Sequence, residues 1–307
     1  RAPRAKEMGQ VTNVVVIYHG LLTEAETLAR NLSERYGHDK WPLLPAEPVR
    51  ALESGVKGSD LVITIGGDGT ILRGAHAAAP HGIPVLGINM GRVGFMAELD
   101  ASDAMTDTGW YLDNWDEGGE GPRIENRAMV RATIPGSTEA PFHALNDVVV
   151  GRGASIRVVD LNTVVDGQHI VTYRGDGLVI STATGSTGYG LALGGPVMNP
   201  TSGAFLLKPI AAHMSLQGGL LLRPDAVVSI TIENDAGGML SVDGFVDRAI
   251  AAGTTVRIET SEYTARFLRK HPPAAFYQSL TRRLGMRQGA MARESGEAEN
   301  TSGDESL

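Results

Sequence analysis

Residues Leu61–Ala75, LVITIGGDGTILRGA, constrain the fold more than any other stretch of this chain. A solid apolar run, three glycines around one aspartate and a second apolar run read as a buried strand, a tight turn and a helix opening. In that geometry backbone N–H groups and the helix N-terminus receive an anion. Gly66, Gly67, Gly69 and Thr70, with Arg73 one turn on, form the candidate phosphate loop. Asp68 does not fit as a phosphate contact, because it repels anions. Two readings stay open: it caps the following helix, or it takes a proton from an attacking hydroxyl or holds a divalent cation between phosphates.

The flanking sequence repeats the alternation of strand and helix. Asn13–Tyr18, Asp60–Ile65 and Pro84–Ile88 are short apolar strands, and Thr70–Ala79 is the helix after the glycine turn. Thr23 and Glu26 have capping-box spacing and open a helix to about Tyr36. Solid apolar strands separated by helices predict a parallel, Rossmann-like sheet covered on both faces. A further helix, about Ala101–Asn114, ends in a Gly-rich acidic linker, Asp116–Pro122.

Beyond the linker the pattern turns to β. Arg127–Ile134, His143–Val150, Ile156–Val165, His169–Arg174, Leu178–Thr182, Val227–Ile232 and Thr255–Glu259 read as strands. Asp166–Gly167 marks a type I′ hairpin between two of them. The expectation is an all-β, sandwich-like second domain over 123–269. The first domain takes 1–115 plus 270–290, with a terminal helix at Ala274–Met286 returning to it.

Composition narrows the function classes. The net charge is −8, but the tail from Glu294 to Leu307 holds five acidic residues and no Lys or Arg, leaving 30 acids against 27 bases elsewhere. Residues 291–307 read as an acidic, disordered tail. The near-neutral body has no electrostatic footprint for nucleic acid. No apolar run reaches the ~20 residues of a membrane-spanning helix, so no membrane partner is expected. The absence of cysteine rules out disulfides and thiolate metal sites and fits a cytoplasmic protein. The short basic start, RAPRAKEMGQ, lacks the apolar stretch of a secretory signal and reads as a ragged end or a transit remnant.

Ser181–Gly190, STATGSTGYG, follows a strand and combines five hydroxyl residues with glycines and Tyr189. It reads as a polar surface loop or as donors and acceptors for a ribose and a base, with an aromatic face. Asn146 and Asp147, inside an apolar run, read as a strand bulge or as an amide–carboxylate pair suited to vicinal hydroxyls. Four blocks in order, GGDGT, NMGRVGF (Asn89–Phe95), ALNDVVV (Ala144–Val150) and RGDGLVISTATGSTGYGLALGGP (Arg174–Pro196), resemble those of the NAD kinase family.

The resemblance implies phosphorylation of the adenosine ribose 2′-hydroxyl of NAD by ATP or polyphosphate with Mg²⁺. Asp68 would activate the hydroxyl, with Gly69 against the dinucleotide, and Asn146 and Asp147 would hold a ribose. Arg157 and Arg174 would line the site. Asp176, Thr184, Thr187, Gly188, Tyr189, Gly190, Leu191 and Ala192 would hold the rest of the NAD, and no all-protein metal site is picked out. A homodimer or homotetramer is implied. The alternatives are a lipid kinase sharing the glycine turn, or a catalytically silent dinucleotide-binding protein. Four departures stand out: Asp147 replaces the usual Glu, Gly188 an Ala, Ala183 a Pro, and Phe245 a position that is often polar.

Overall fold

The computed structural model describes residues 11–91, 94–114, 121–153, 157–212 and 218–283. The chain divides at 270/271 into two compact units. The second contains one described helix, α6 (Ala275–Arg283), where the sequence predicts one; the acidic tail and most of the 116–122 linker lie outside the described residues.

The first unit opens with β1 (Val14–Tyr18), α1 (Thr23–Gly37), β2 (Leu43–Pro45), α2 (Val49–Val56), β3 (Leu61–Gly66), α3 (Asp68–Ala78), β4 (Pro84–Asn89), β5 (Leu99–Asp100) and α4 (Ala101–Asp113). The strands among these pair in parallel, β2–β1–β3–β4, with β5 on β4. All six residues of β3 and of β4 are buried, which is why both read as unbroken apolar runs. One local expectation fails. Thr23 lies inside α1, whose cap is the extended Leu22 with no side-chain bond, and Glu26 pairs with Arg30 at 2.6 Å instead.

The β-rich half follows: β6 (Arg123–Thr133), β7 (Phe142–Ala144), β8 (Asp147–Gly151), β9 (Val159–Val165), β10 (Gln168–Gly175), β11 (Gly177–Ser181), α5 (Tyr189–Ala192), β12 (Phe205–Ile210), β13 (Leu220–Leu222), β14 (Val228–Ile232), β15 (Gly238–Val242), β16 (Val246–Ile250) and β17 (Thr255–Arg269). Asp166 and Gly167 both have positive φ (51° and 79°), as the type I′ turn between β9 and β10 requires. An antiparallel sheet, β13–β12–β11–β8–β15–β16, packs face to face on β6, β9, β14 and β17. Val148, Val150, Leu178, Ile180, Leu207 and Leu240 from one layer and Val130, Leu161, Ile230 and Ile258 from the other share one core.

The α/β and β halves are not separate sheets. β17 runs antiparallel to β6 from Arg257 to Arg269, and on its other edge antiparallel to β14 at Thr255–Ile258 and then parallel to β4 at Arg266–Phe267. A register shift between Thr260 and Thr264 re-aims it between the two jobs. One mixed sheet therefore runs from β10 to β2. It fixes the carboxyl ends of β3 and β4, where ligands bind in open α/β sheets, relative to the β layers.

Candidate functional site

The glycine turn ends β3 and starts α3 with Gly67 as the extended cap residue. Gly66 is buried, whereas Gly67 and Gly69 are exposed. Asp68 is the first helical residue and makes no cap bond to its own helix. Its carboxylate turns the other way: the Phe95 N–H donates to Oδ2 at 3.0 Å and the Met96 N–H to Oδ1 at 3.3 Å. The helix-cap reading of Asp68 is thereby set aside. The carboxylate is half-buried at a helix N-terminus and keeps free lone pairs on both oxygens.

Gly94 makes this arrangement possible, since a Cβ there would overlap the Asp68 carboxylate. Gly94→Ala is expected to displace that carboxylate and to lower any activity that depends on Asp68 by roughly 10- to 100-fold, the cost of a misplaced group. Steady-state kinetics beside a thermal melt checks it.

A second segment meets α3 from the β layers. Leu145 packs in the same apolar cluster as Ile71 and Leu72 of α3. His76 of α3 lies 2.8 Å from the His143 carbonyl through Nε2, and its ring meets Phe245 edge-on at 5.2 Å. Phe245 also lies under the Arg73 guanidinium, 5.8 Å from its centroid. Arg73 donates to the Gly69 carbonyl at 3.1 Å and pairs with Glu47 at 3.0 Å, while its buried Nε has no partner.

The strand predicted over His143–Val150 is broken at Leu145–Asn146, and Asp243 is the cause. Its buried carboxylate accepts the N–H groups of Leu145 (2.8 Å), Asn146 (2.7 Å) and Asp147 (3.0 Å). Those three amides are thus taken out of the ladder and bent around one side chain. Burial pushes the Asp243 carboxyl up, to about 6, against the downward pull of the three amides. Burial, with Asp243 beside it, also pushes Asp147 up, to about 7. Among the described residues neither the Asn146 amide nor the Asp147 carboxylate has a side-chain hydrogen bond, so both pairs of polar atoms are available to a ligand.

The sign of the Asp147 effect follows from linkage. The folded state holds a proton that the unfolded chain loses near pH 4, so this contribution to stability disappears as pH rises through about 7. Asp147→Asn is expected to flatten the fall of Tm between pH 5 and 8. A pH series of thermal melts checks it, and an unchanged slope counts against the assignment.

The hydroxyl-rich loop closes on the same place. Thr182 donates through its N–H to the Asn146 carbonyl at 2.9 Å and through Oγ1 to the Leu145 carbonyl at 2.5 Å. Gly185 packs so near the Asn146 carbonyl that a Cβ would overlap it. Thr184 is buried and its Oγ1 has no partner, an orphan of the kind a ligand satisfies. Thr187 is half-buried; Gly188, Tyr189 and Ala192 are exposed; Gly190 is buried and Leu191 half-buried.

The contacts join α3 at Ile71, Leu72, Arg73 and His76 to His143, Leu145 and Phe245, and join Leu145 and Asn146 to Thr182 and Gly185 of the hydroxyl-rich loop. Asp176, Arg157 and Arg174 stand apart. Asp147 pairs with Ser181 at one end of the β8–β11 ladder and Gly151 with Gly177 at the other, about 13 Å along the strands. Asp176 adjoins that far end, paired with Arg152 at 2.9 Å. Arg157 lines a cavity of ≈ 650 Å³ with Arg152, Glu233 and Met239. Arg174 is exposed on β10, 3.9 Å from Asp160. Sequence reasoning missed Asp243, although the Asp243–Gly244 pair carries the same turn signal as Asp166–Gly167.

A strand, glycine turn and helix presenting a carboxylate beside a hydroxyl-rich loop define a nucleotide-binding α/β protein with an appended β-sandwich. Known proteins narrow the class. The family model for the ATP-NAD kinase N-terminal domain matches residues 5–109, and that for the ATP-NAD kinase C-terminal domain matches 145–270. An NAD kinase of Dehalococcoides mccartyi (strain CBDB1) is 36% identical over 277 residues, covering 88% of this chain and 94% of that protein. One from Chloroflexus aurantiacus (strain ATCC 29366 / DSM 635 / J-10-fl) is 36% identical over 238 residues, covering 75% and 82%. Two solved structures share the fold: yeast NADH kinase complexed with NADH (TM-score 0.76, 21% identity, 92% of this chain and 89% of that one) and an Archaeoglobus fulgidus NAD kinase in complex with ATP (0.69, 22%, 90% and 100%). The chain belongs to the NAD kinase family.

Proposed function

We propose that this protein transfers the γ-phosphoryl group of ATP to the 2′-hydroxyl of the adenosine ribose of NAD, making NADP. The observation that carries the reading is Asp68, turned away from its helix cap and held by two amides at the mouth of a phosphate-type turn. From there it takes or orients the proton of the attacking hydroxyl. Gly67, Gly69 and the α3 N-terminus face the phosphoryl donor with backbone N–H groups, and Arg73 adds a cation beside them. Asn146 and Asp147 hold ribose hydroxyls, with Thr184 and the Thr187–Ala192 segment along the dinucleotide.

Among the described residues no group of three or more His, Asp or Glu stands ready to hold an ion. Mg²⁺ ordinarily takes one or two carboxylates and completes its shell with phosphates and water. Asp68 could supply such a carboxylate, so Mg²⁺ would fit as a companion of the nucleotide and, when bound, would neutralise charge on the phosphoryl group. On this reading residues 1–115 serve the donor and 123–269 the dinucleotide and assembly. The assembly expected on this reading is a homodimer or homotetramer. No described helix is long and apolar enough to cross a membrane, and a cytoplasmic location fits the reading.

The experiment is one coupled assay. Purified protein receives ATP or polyphosphate, Mg²⁺, and NAD or NADH, and NADP(H) is detected enzymatically. Product with ATP and NAD is the expected result; binding of NAD by calorimetry without turnover under any donor sinks the proposal. Light scattering of the same sample gives the assembly.

A further inference from the structure

Arg127 and Arg269 are buried, 3% and 7% exposed, joined among the described cations only by Lys208. β6 carries Glu125 and Arg127 on one face, and β17 carries Phe267 and Arg269 alongside. Arg127 donates to Glu125 Oε1 through Nε (3.0 Å) and Nη2 (2.9 Å), and Arg269 Nε donates to the same oxygen at 3.2 Å. Arg269 Nη1 also donates to Glu98 at 3.1 Å, and Glu98 accepts from the Tyr111 hydroxyl (2.9 Å) and the Lys270 N–H (2.7 Å). Both guanidinium groups lie over the Phe267 ring, 4.8 and 5.2 Å from its centroid.

Each arginine has a further donor aimed at the loop between β4 and β5. Arg127 Nη2 donates to the Phe95 carbonyl at 3.3 Å, and Arg269 Nη2 to the Met96 carbonyl at 3.0 Å. Phe95 and Met96 are the residues whose N–H groups hold the two oxygens of Asp68. We infer that Arg127 and Arg269 are positioning residues: anchored on Glu125 and Glu98, they clamp the carbonyls of Phe95 and Met96 so that the amides of the same residues fix Asp68. The inference rests on the catalytic reading of Asp68.

The charges support the geometry. Despite the desolvation of its burial, Arg269 and Arg127 hold the Glu125 carboxyl down to about 2, so the anchor stays ionised. Burial and Arg269 lower Arg127 to about 10, opposed by Glu125 and Asp68, so it too stays charged near neutral pH. A guanidinium can serve a carboxylate and a carbonyl at once from a rigid fork, and an ammonium cannot hold that geometry.

The test uses Arg127→Lys and Arg269→Lys, which keep the charge and lose the fork. At a temperature where circular dichroism shows native protein, kcat is expected to fall roughly 10- to 100-fold, with the KM for NAD and for ATP within about threefold of wild type. Hydrogen exchange of the Phe95 and Met96 amides is expected to rise while that of β3 stays slow. Native exchange at 95–96 with unchanged kcat overturns the proposal, as does a loss confined to Tm. If neither variant folds, Glu98→Gln weakens the Arg269 anchor without removing its volume and is judged by the same two readouts. Asp68→Asn runs in parallel: if it stays active the catalytic reading fails, while the exchange data still decide whether the clamp exists.

Discussion

Asp68→Asn is expected to lower kcat by ~10²–10⁴, the range for losing a general acid–base group, with the fold retained. The substitution is nearly isosteric, but it changes two things at once. On the proposed reading it removes the group that takes the hydroxyl proton. It also places an NH₂ where the carboxylate offers an oxygen to each of two amides, at 3.0 and 3.3 Å. One of the Phe95 and Met96 N–H groups then faces a donor, at a cost of about 1–3 kcal/mol for an unmet buried hydrogen bond. A small drop in Tm should therefore accompany the large drop in rate. The coupled NADP assay with a thermal melt measures both, and a kcat within about threefold of wild type removes Asp68 from the catalytic role.

Why the glycine turn could be read from sequence, and its neighbours could not, follows from the range of the interactions. Leu61–Gly66, the turn and α3 are local: apolar period, glycine placement and helix start all lie within fifteen residues. The same holds for Asp166–Gly167, whose φ values the dipeptide itself favours. Thr23 and Glu26 show the limit of local spacing, because the chain enters α1 with Leu22 extended and Glu26 takes Arg30 as its partner. The break at Leu145–Asn146 is set by a carboxylate some 97 residues away in sequence, so no window around residue 146 contains its cause. β17 illustrates the same point for topology: Thr255–Glu259 reads as a short strand, but partners on β4 and β6 extend it to Arg269. Glu125 lies outside the strand read over Arg127–Ile134, and Arg127 at its start carries no local mark of burial. Only Arg269, Phe267 and the loop at 95–98, brought in from elsewhere, bury them. Asn146 and Asp147 stand out locally as polar residues inside an apolar run, which marks a bulge or a ligand pair, but nothing local shows the three-amide bend around Asp243.

That bend is the second place where a large effect is expected. Asp243 sits in the left-handed region at φ 51°, with Gly244 beside it at φ 69°, in the turn between β15 and β16. Here the carboxylate's bonds to Leu145–Asp147 hold Asp243 in that conformation, whereas Ala there costs roughly 1–2 kcal/mol. Asp243→Ala would also leave the N–H groups of Leu145, Asn146 and Asp147 without their acceptor. Together these terms should cost about 3–5 kcal/mol, a fall in Tm on the order of 10 °C. Asp243→Asn is the informative variant. It keeps one oxygen for Asn146 and Asp147, loses the acceptor for Leu145, and removes the charge that helps hold the Asp147 carboxyl up. On the proposed reading, loosening the bend leaves Asn146 and Asp147 without a fixed amide and carboxylate for a ribose. The KM for NAD is then expected to rise by ~10-fold or more for loss of one or two hydrogen bonds, while the KM for ATP stays within about twofold. Thermal melts and two-substrate kinetics separate the effects. If Asp243→Asn melts like wild type and binds NAD equally well, the carboxylate does not organise the dinucleotide side of the site.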